Sequence, residues 1–557
     1  MGQEQAKNAA IWYVDDGYVT NRDNINGRRS AGQSFLRGFF KHADVDRYIA
    51  AIPSSTAKGH FIERADQAGR GIPASEIFAH DTVGLSKVGC LFYPSPVTGR
   101  EAWVRHGIGD ARYSLCGITH TTATRAVMDA GFGMRTLPLR SWDALICTST
   151  SVQQSIRQQF DDIDAYLNTR FGGILPERPQ IPVVPLGINT EDFEVTPAAR
   201  AAARNAAGVG EDDVVFMTLS RLSVHEKFDP LPYFIALQQA RDALGKDGPK
   251  LRVVLCGVFQ DAYSRGIIKR GAKALMPDIE MMILDGSDPG DRGKAFALAD
   301  VFAFPIDNIQ ETFGLAPIEG MAAGLPVLCS DWDGMKDTVT PAVGIRVPTL
   351  MAGEAALDRE ALRFLSGYDS YNQYVSQTSG VTVIDVPKLT EAILRFARSP
   401  ELRKSMGQDA LRRARDTYDW SAIIPQMQEL WGELDARRAK ANDHAPALRP
   451  TALSPGRLFA SYPTEQMDAR ERRFVRRSGV TRAEVNRLIK IHNYDPMGRK
   501  PTSQANFGRV IEALTEDVPV TAKALSAMLK QGPDVIERAL LWLMKFDLVR
   551  EASEDAW

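Results

Sequence analysis

Cysteine is scarce in this chain, with five residues in 557, and no two of them form a Cys-x-x-Cys pair. An odd number of scattered cysteines is typical of a protein in a reducing compartment. It excludes a disulfide framework or a cysteine zinc site. No stretch approaches the 18 apolar residues of a membrane-spanning helix, and the first residues, MGQEQAKNAAIWYV, lack the pattern of a secretory signal. We therefore expect a cytoplasmic protein with at most peripheral membrane contact.

An excess of charge of either sign is also missing. The chain has 67 basic and 69 acidic residues, a net charge of −2, and this balance gives no reason to expect a nucleic-acid partner. The hydrophobic fraction of 44% and the charged fraction of 24% exclude a disordered or fibrous chain. At roughly 100–200 residues per domain, the length predicts several domains.

Short, continuous apolar segments alternate with longer helical patterns through most of the chain. One series of predicted strands lies within residues 11–184, with its last strand at 181–184, and a second lies within residues 214–329. Continuous apolar strands flanked by helices indicate parallel sheets covered on both faces, so the pattern predicts two doubly wound, Rossmann-like α/β domains. A proline-containing stretch at 182–197 separates the two series and suits a hinge.

The most informative segment is 311–326, ETFGLAPIEGMAAGLP. It predicts a turn followed by a helix that starts near Pro317 and stops at Gly324, directly after the predicted strand 301–304. A helix N-terminus at the carboxyl end of a strand is a ready site for a diphosphate. The two carboxylates of this segment, Glu311 and Glu319, are suited to accept hydrogen bonds from sugar and ribose hydroxyls.

This segment resembles the E-x7-E motif of the retaining nucleotide-sugar glycosyltransferases of family 4, which have the GT-B fold. The resemblance implies that Glu311 contacts the donor sugar and that Glu319 holds the nucleotide ribose. It also implies that the backbone N–H groups of Phe313, Gly314 and Leu315 face the donor sugar and diphosphate.

Two cations lie in the loop after the predicted strand 214–219. Arg221 and Lys227 there can neutralise two phosphate charges. The loop resembles the family's Arg-Leu…Glu-Lys pattern, which binds the donor diphosphate, but it has one residue more between the two cations. The family also places a histidine near the donor sugar; His120, which ends YSLCGITH, is the candidate, with His80 and His106 as alternatives.

Glycines follow the first predicted strand. Gly27 and Gly32 in the segment 26–33 resemble the family's glycine-rich first loop, ahead of a predicted helix at 35–42, and are expected to bind acceptor or donor phosphate. No G-x-G-x-x-G fingerprint is present. The triplet 331–333 matches a D-x-D metal motif, but we interpret it as a loop. Because cations and a helix N-terminus serve the diphosphate, we expect neither a metal nor a cofactor beyond the nucleotide-sugar.

The predicted division of the chain has five parts. They are an N-terminal Rossmann-like acceptor-side domain at 1–187, a nucleotide-sugar-binding Rossmann-like domain at 188–418, a closing helix at 419–440 that returns to the first domain, a linker at 441–459, and a small helical, winged-helix-like domain at 460–557. The last part carries a basic run, RERRFVRR, and we expect it to bind a protein partner or to self-associate.

The expected function is retaining transfer of a sugar from a nucleotide-diphospho-sugar to a hydroxyl of a glycan, lipid-linked glycan or small glycoside. Alternatives are a nucleotide-sugar 2-epimerase or a phosphorylase of the same fold. A non-enzymatic regulator that senses a nucleotide-sugar is a third possibility.

Overall fold

The computed structural model describes residues 7–18, 27–96, 99–442, 445–447, 449–451, 453–467, 471–492 and 500–552. The chain forms two compact units, Met1–Arg449 and Pro450–Trp557, and their border falls within the predicted linker at 441–459. None of the helices in the described ranges is long and apolar enough to cross a membrane.

The first sheet of the larger unit has six parallel strands in the order β3-β2-β1-β4-β5-β6. Most of their residues are buried, since helices cover both faces. The strands are β1 (Ala10–Trp12), β2 (Tyr48–Ile52), β3 (Ala74–Phe78), β4 (Cys90–Tyr93), β5 (Ser114–Ile118) and β6 (Ala144–Ile146).

The second sheet repeats this arrangement in the order β12-β11-β10-β7-β8-β9. In both sheets the order reverses beside the first strand, so each half has the switch point at which doubly wound folds bind ligands. The strands are β7 (Val214–Leu219), β8 (Leu251–Gly257), β9 (Glu280–Asp285), β10 (Val301–Phe304), β11 (Val327–Ser330) and β12 (Gly344–Val347). The prediction of two doubly wound domains is confirmed.

A small antiparallel pair, β13 (Thr349–Met351) and β14 (Thr382–Ile384), follows the second sheet. The helices of the first half are α1 (Asp15–Tyr18), α2 (Gly27–His42), α3 (His60–Gln67), α4 (Thr82–Val88), α5 (Gly99–His106), α6 (Arg125–Thr136) and α7 (Thr150–Phe171). Those of the second half are α8 (Pro197–Ala206), α9 (Leu231–Leu244), α10 (Ala262–Leu275), α11 (Pro289–Leu298), α12 (Leu315–Ala322), α13 (Met335–Thr338), α14 (Glu354–Leu365), α15 (Tyr371–Ser379), α16 (Val386–Arg398) and α17 (Pro400–Arg413).

The strands of the two parallel sheets differ from the sequence prediction at two places. The segment 181–184 is not a strand of the sheet, because it pairs only through a single parallel bridge between Cys147 and Val183. Strand β12 was not predicted, although it completes the second sheet beside β11.

The chain crosses between the two halves twice, and the two crossings lie side by side. Ile188 donates its N–H to the Tyr418 carbonyl at 2.8 Å, and Trp420 returns a bond to the Ile188 carbonyl at 3.0 Å. Helix α18 (Trp420–Ala439) then packs against the first half. There the Trp431 ring lies 5.8 Å from that of Phe92, and Arg438 donates to the Gly89 carbonyl at 2.7 Å.

The smaller unit has its own hydrophobic core, built around Phe474, Phe507 and Trp542. It combines a three-stranded antiparallel sheet with helices and has the order α19 (Pro455–Leu458), β15 (Arg473–Arg476), α20 (Arg482–His492), α21 (Gln504–Ala513), β16 (Val520–Thr521), α22 (Ala522–Leu529), α23 (Pro533–Lys545) and β17 (Val549–Glu551). Within the basic run, Arg472 pairs with Glu465 and Glu551, and Arg477 lies 3.5 Å from Glu484. Part of its positive charge is therefore matched by carboxylates; Arg470 lies outside the described residues.

Candidate active site

An ion pair joins the two loops that leave the switch point of the second sheet. Lys227, in the loop after β7, pairs its Nζ with Oε2 of Glu311, in the loop after β10. The other carboxylate oxygen of Glu311 accepts the Gly314 N–H at 2.9 Å. Burial acts to raise the pKa of Glu311, but Lys227 and the N–H groups of Gly314 and Phe313 outweigh it, so the pKa is lowered. Glu311 is thus a partly buried, ionised acceptor beside a cation.

The turn before α12 depends on a glycine. Gly314 has φ +83°, which disfavours residues with a Cβ, and a Cβ at this position would require the Met335 side chain to shift because its Sδ would lie 2.7 Å away. Helix α12 then begins at Leu315, two residues before the predicted start. In this structure the Gly314 N–H donates to the Glu311 carboxylate, and the Phe313 N–H helps to lower its pKa. A partly buried carboxylate requires such donors. The expected contact of the Phe313, Gly314 and Leu315 amides with a donor stays a prediction.

Glu319 lies inside α12 in a different environment. Burial raises its pKa to about 7, against a smaller lowering effect of Arg292. Among the described residues, Lys227 forms its ion pair with Glu311, and Glu319 has no ion pair of this kind. Glu319 is therefore poised between its neutral and ionised forms near neutral pH.

A turn accommodates the one additional residue that separates Arg221 from Lys227, relative to the family pattern. Lys227 donates its N–H to the Ser223 carbonyl at 3.2 Å, and Glu226 donates its N–H to Oγ of Ser223 at 3.2 Å. This turn carries Lys227 to Glu311, while the Arg221 guanidinium pairs with Glu226 in the same loop. The structure thus brings Lys227 and Glu311 together and gives Arg221 a different partner.

Of the three candidate histidines, His120 is the one at the cleft. Its carbonyl accepts the Thr312 Oγ–H at 2.8 Å, which joins the first half to the Glu311 loop, and its side chain lines a cavity in the first half. His80 is exposed and stacks on Phe78 beyond the edge strand β3, whereas His106 lies 2.9 Å from Asp110 within its own half.

The predicted glycine-rich loop of the first half is a helix instead. Gly27 is the first residue of α2, and Gly32 lies inside this helix, so the helix starts eight residues before the predicted start at 35. A Cβ on Gly32 would lie 2.1 Å from the Gly17 carbonyl oxygen. Gly32 therefore serves a close backbone contact at the wall of the cavity, rather than loop flexibility.

The Asp-Trp-Asp triplet contacts protein groups. Asp331 pairs with Arg346 at 3.3 Å, and Asp333 accepts the Ser149 Oγ–H at 3.0 Å. Its neighbour Asp337 accepts the Thr150 N–H at 2.6 Å, so this region contacts the N-terminus of α7 across the cleft. Among the described residues, no three His, Cys, Asp or Glu side chains are grouped to hold a metal ion.

Asp307 is a buried acid near the site that was not predicted from the sequence. Asp307 follows β10, is 3% exposed, and accepts the Asp229 N–H at 3.3 and 3.4 Å. Burial, together with the charge of Asp229, raises its pKa to about 8. The only sequence signal was its position after a buried strand, which many loop aspartates share.

Two doubly wound halves, whose switch points face one cleft, define a protein of GT-B type. Residues 200–381 match the family Glycosyl transferases group 1. The match covers about a third of the chain and includes Lys227, Glu311 and Glu319.

Curated relatives match this chain over about as many residues as the family does. The chain is 32% identical over 186 residues to a D-inositol 3-phosphate glycosyltransferase of Saccharomonospora viridis, which is 32% of this chain and 41% of the relative. It is 29% identical over 183 residues to a GDP-mannose-dependent alpha-(1-6)-phosphatidylinositol monomannoside mannosyltransferase of Mycobacterium tuberculosis, which is 32% of this chain and 45% of the relative. The matched part thus spans less than half the length of these relatives.

Solved structures resemble a longer part of the chain at lower identity. The structure of Anabaena Alr3699/HepE in complex with UDP shares 15% identity with a TM-score of 0.45, over 72% of this chain and 95% of that chain. The structure of WaaG, a glycosyltransferase involved in lipopolysaccharide biosynthesis, shares 13% identity with a TM-score of 0.40, over 75% of this chain and 97% of that chain.

Proposed function

We propose that this protein transfers a sugar from a nucleotide-diphospho-sugar to an acceptor hydroxyl, with retention of the anomeric configuration and without a metal ion. The observation that carries the proposal is the partly buried Lys227–Glu311 pair beside the N-terminus of α12. It lies at the switch point of the half that contains the match to Glycosyl transferases group 1 and contacts the first half through Thr312. The two named relatives are glycosyltransferases, one of them GDP-mannose-dependent.

The charges of the site suit a departing diphosphate. Lys227 supplies a point charge and α12 supplies a positive dipole end, and Arg221 adds a guanidinium in the same loop once it leaves Glu226. These groups stabilise the negative charge that grows on the leaving phosphate oxygen. Glu311 receives the sugar hydroxyls, and Glu319 receives those of the ribose, because both are carboxylates placed beside that phosphate position.

The way Glu311 is held supports a front-face route to retention over a covalent one. Its carboxylate oxygens are engaged by Lys227 and Gly314, so we assign it hydroxyl binding rather than attack on the sugar carbon. In the proposed front-face step, the bond between the anomeric carbon and the phosphate oxygen breaks. The acceptor oxygen bonds to that carbon from the same face, and the departing phosphate takes the acceptor proton.

The test is nucleotide-diphosphate release from UDP-glucose and GDP-mannose, with and without acceptor alcohols. Lys227→Gln and Glu311→Gln are expected to lower kcat at least about a hundredfold, as removal of one transition-state donor does elsewhere. Glu311→Gln keeps an oxygen for the Gly314 N–H, so its melting temperature should show that the fold persists. Lys246→Gln, at an exposed position after α9, is the matched control and should retain full activity.

Three results would contradict the proposal. They are full activity in both site variants, inversion at the anomeric carbon of the product, and a C2-epimerised nucleotide-sugar formed in place of a transfer product. Loss of activity on treatment with a chelator, restored by a divalent cation, would contradict the metal-free step alone.

A further inference from the structure

A cavity of about 240 Å³ lies in the first half, at the carboxyl ends of its strands. Trp12 and Val14 reach it from β1 and the loop that follows, and Tyr93 and Ser95 reach it from β4 and its loop. Because β1 and β4 flank the switch point of the first sheet, the cavity occupies the counterpart of the site at Lys227 and Glu311. His120, at its rim, connects it to Thr312 of the Glu311 loop.

The walls of the cavity are rich in aromatic rings. Two groups of rings contribute. In the first, the ring centroids of Trp12 and Tyr93 are 4.7 Å apart. In the second, the Phe35 centroid lies 5.3 Å from that of Phe92 and 5.6 Å from that of Trp420. Two polar atoms of these walls are already bonded within the protein. The Tyr18 hydroxyl donates to the Trp12 carbonyl at 3.0 Å, and the Trp420 indole N–H donates to Ser34 Oγ at 2.8 Å.

Charge is nearly absent from the part of this surface that the structure describes. Among the described residues, Ser95 and His120 are the lining side chains of polar type apart from the aromatic hydroxyls and indoles. The Arg100 guanidinium lies 5.4 Å from the centre of the Trp12 ring but is not part of the lining. The described lining offers no fork of cations for a phosphate. Most hydroxyls of a bound sugar would find no partner on it, at a cost for each.

We propose that this cavity binds the acceptor, and that the acceptor is an uncharged phenol or alcohol carried on an aromatic body of about two fused rings. An apolar cavity of about 150 Å³ accepts benzene, so the larger volume here accommodates a second ring. Fixed aromatic walls favour a flat partner that packs against their faces and edges. The hydroxyl of such a ligand points to the rim at His120, which faces the Glu311 loop; the transfer to it rests on the proposed function.

Ligand binding tests the cavity without any transfer. Equilibrium dialysis of the full chain against 2-naphthol should show binding, and Val14→Phe and Ala31→Leu, which fill the cavity from two sides, should weaken it at least tenfold. Val83→Phe adds the same ring at a position that is 65% exposed on α4 and should bind like the wild type. Thermal melting and nucleotide-sugar binding check that the filled variants are folded.

Competing acceptors test the chemistry of the ligand. With the nucleotide-sugar that the protein accepts, kcat/KM for 2-naphthol should exceed that for methyl glucoside, myo-inositol 1-phosphate and 1-decanol at least tenfold. Failure of the wild type to bind 2-naphthol, equal binding by both filled variants, or a preference for any of the other three acceptors would overturn the proposal. If 2-naphthol binds as expected but no nucleotide-sugar is consumed, the ligand class is supported and the proposed function is what fails.

Discussion

Two glutamates eight residues apart have opposite electrostatic environments. Glu311 is held ionised by Lys227 and by backbone N–H groups, whereas burial raises the pKa of Glu319 to about 7. The spacing of the pair predicted two hydroxyl acceptors but not this difference. The difference arises because the loop after β7 places Lys227 beside Glu311 and not beside Glu319.

The raised pKa of Glu319 predicts a pH-dependent affinity for the donor. Ribose hydroxyls that donate to Glu319 favour its ionised form, so binding requires the carboxyl to lose a proton when the pH lies below about 7. The affinity for a nucleotide-sugar should therefore rise as the pH increases from 5.5, by at most about tenfold per pH unit, and level off above about 8. Isothermal titration calorimetry across this range measures it.

A variant must assign this pH dependence to Glu319, because the pKa values of Asp333 and Asp307 are raised to about 7 and about 8. Glu319→Gln should flatten the profile between pH 5.5 and 8 while it leaves the fold unchanged. A nucleotide-sugar is the suitable ligand, since its diphosphate has no group that titrates near pH 7. An unchanged profile in the variant would show that another acid is responsible.

At the scale of elements, the contact between α2 and the start of α18 fixes the second crossing of the chain. Trp420 begins α18 and is 2% exposed. A Cβ on Gly38 would lie 2.2 Å from its ring, and one on Gly187 would lie 2.6 Å from it. Two glycines thus create the space for one indole, which also forms part of the cavity wall.

Gly38→Ala should therefore destabilise the larger unit. The added methyl group overlaps the Trp420 ring, and overpacking of this kind costs about 1–3 kcal/mol, more than the gain in helix propensity. Gly293→Ala is the matched control, because Gly293 also lies within a helix, α11, and has no atom within 4 Å of its Cβ position. Thermal melting should show a lower Tm for Gly38→Ala and an equal or higher one for Gly293→Ala; equal shifts would refute the packing argument.

Much of the element order was predictable, and the failures have a common physical cause. Strands β7 and β10 have the predicted bounds, because continuous apolar segments between helices suit buried parallel strands. The start of α2 at Gly27 and the aromatic cavity were missed, since both depend on contacts between segments distant in sequence. Glu311 and Lys227 were predicted as site residues from motifs, but their pairing required the turn at Ser223.

At the scale of the whole molecule, the hydrophobic cores divide the chain in the same way as its compact units. The largest core includes residues of both Rossmann-like halves and of α18, for example Phe39, Phe302 and Trp431. The core around Phe507 draws all of its buried members from the smaller unit, between Phe474 and Val549. Each unit therefore buries its own apolar surface and should fold without the other.

This independence predicts the behaviour of the separated units. Residues 1–449 alone should bind a nucleotide-sugar with a Kd within about twofold of that of the full chain, since Lys227, Glu311 and Glu319 all lie in this unit. Residues 450–557 alone should unfold cooperatively, with an enthalpy of about 75 kcal/mol near 60 °C as expected for a domain of this length. Scanning calorimetry of the full chain should then show two transitions, each reproduced by one unit, because neither core is completed by the other. A single transition of the full chain, together with an unfolded 450–557 fragment, would instead mean that the smaller unit depends on the larger one for its stability.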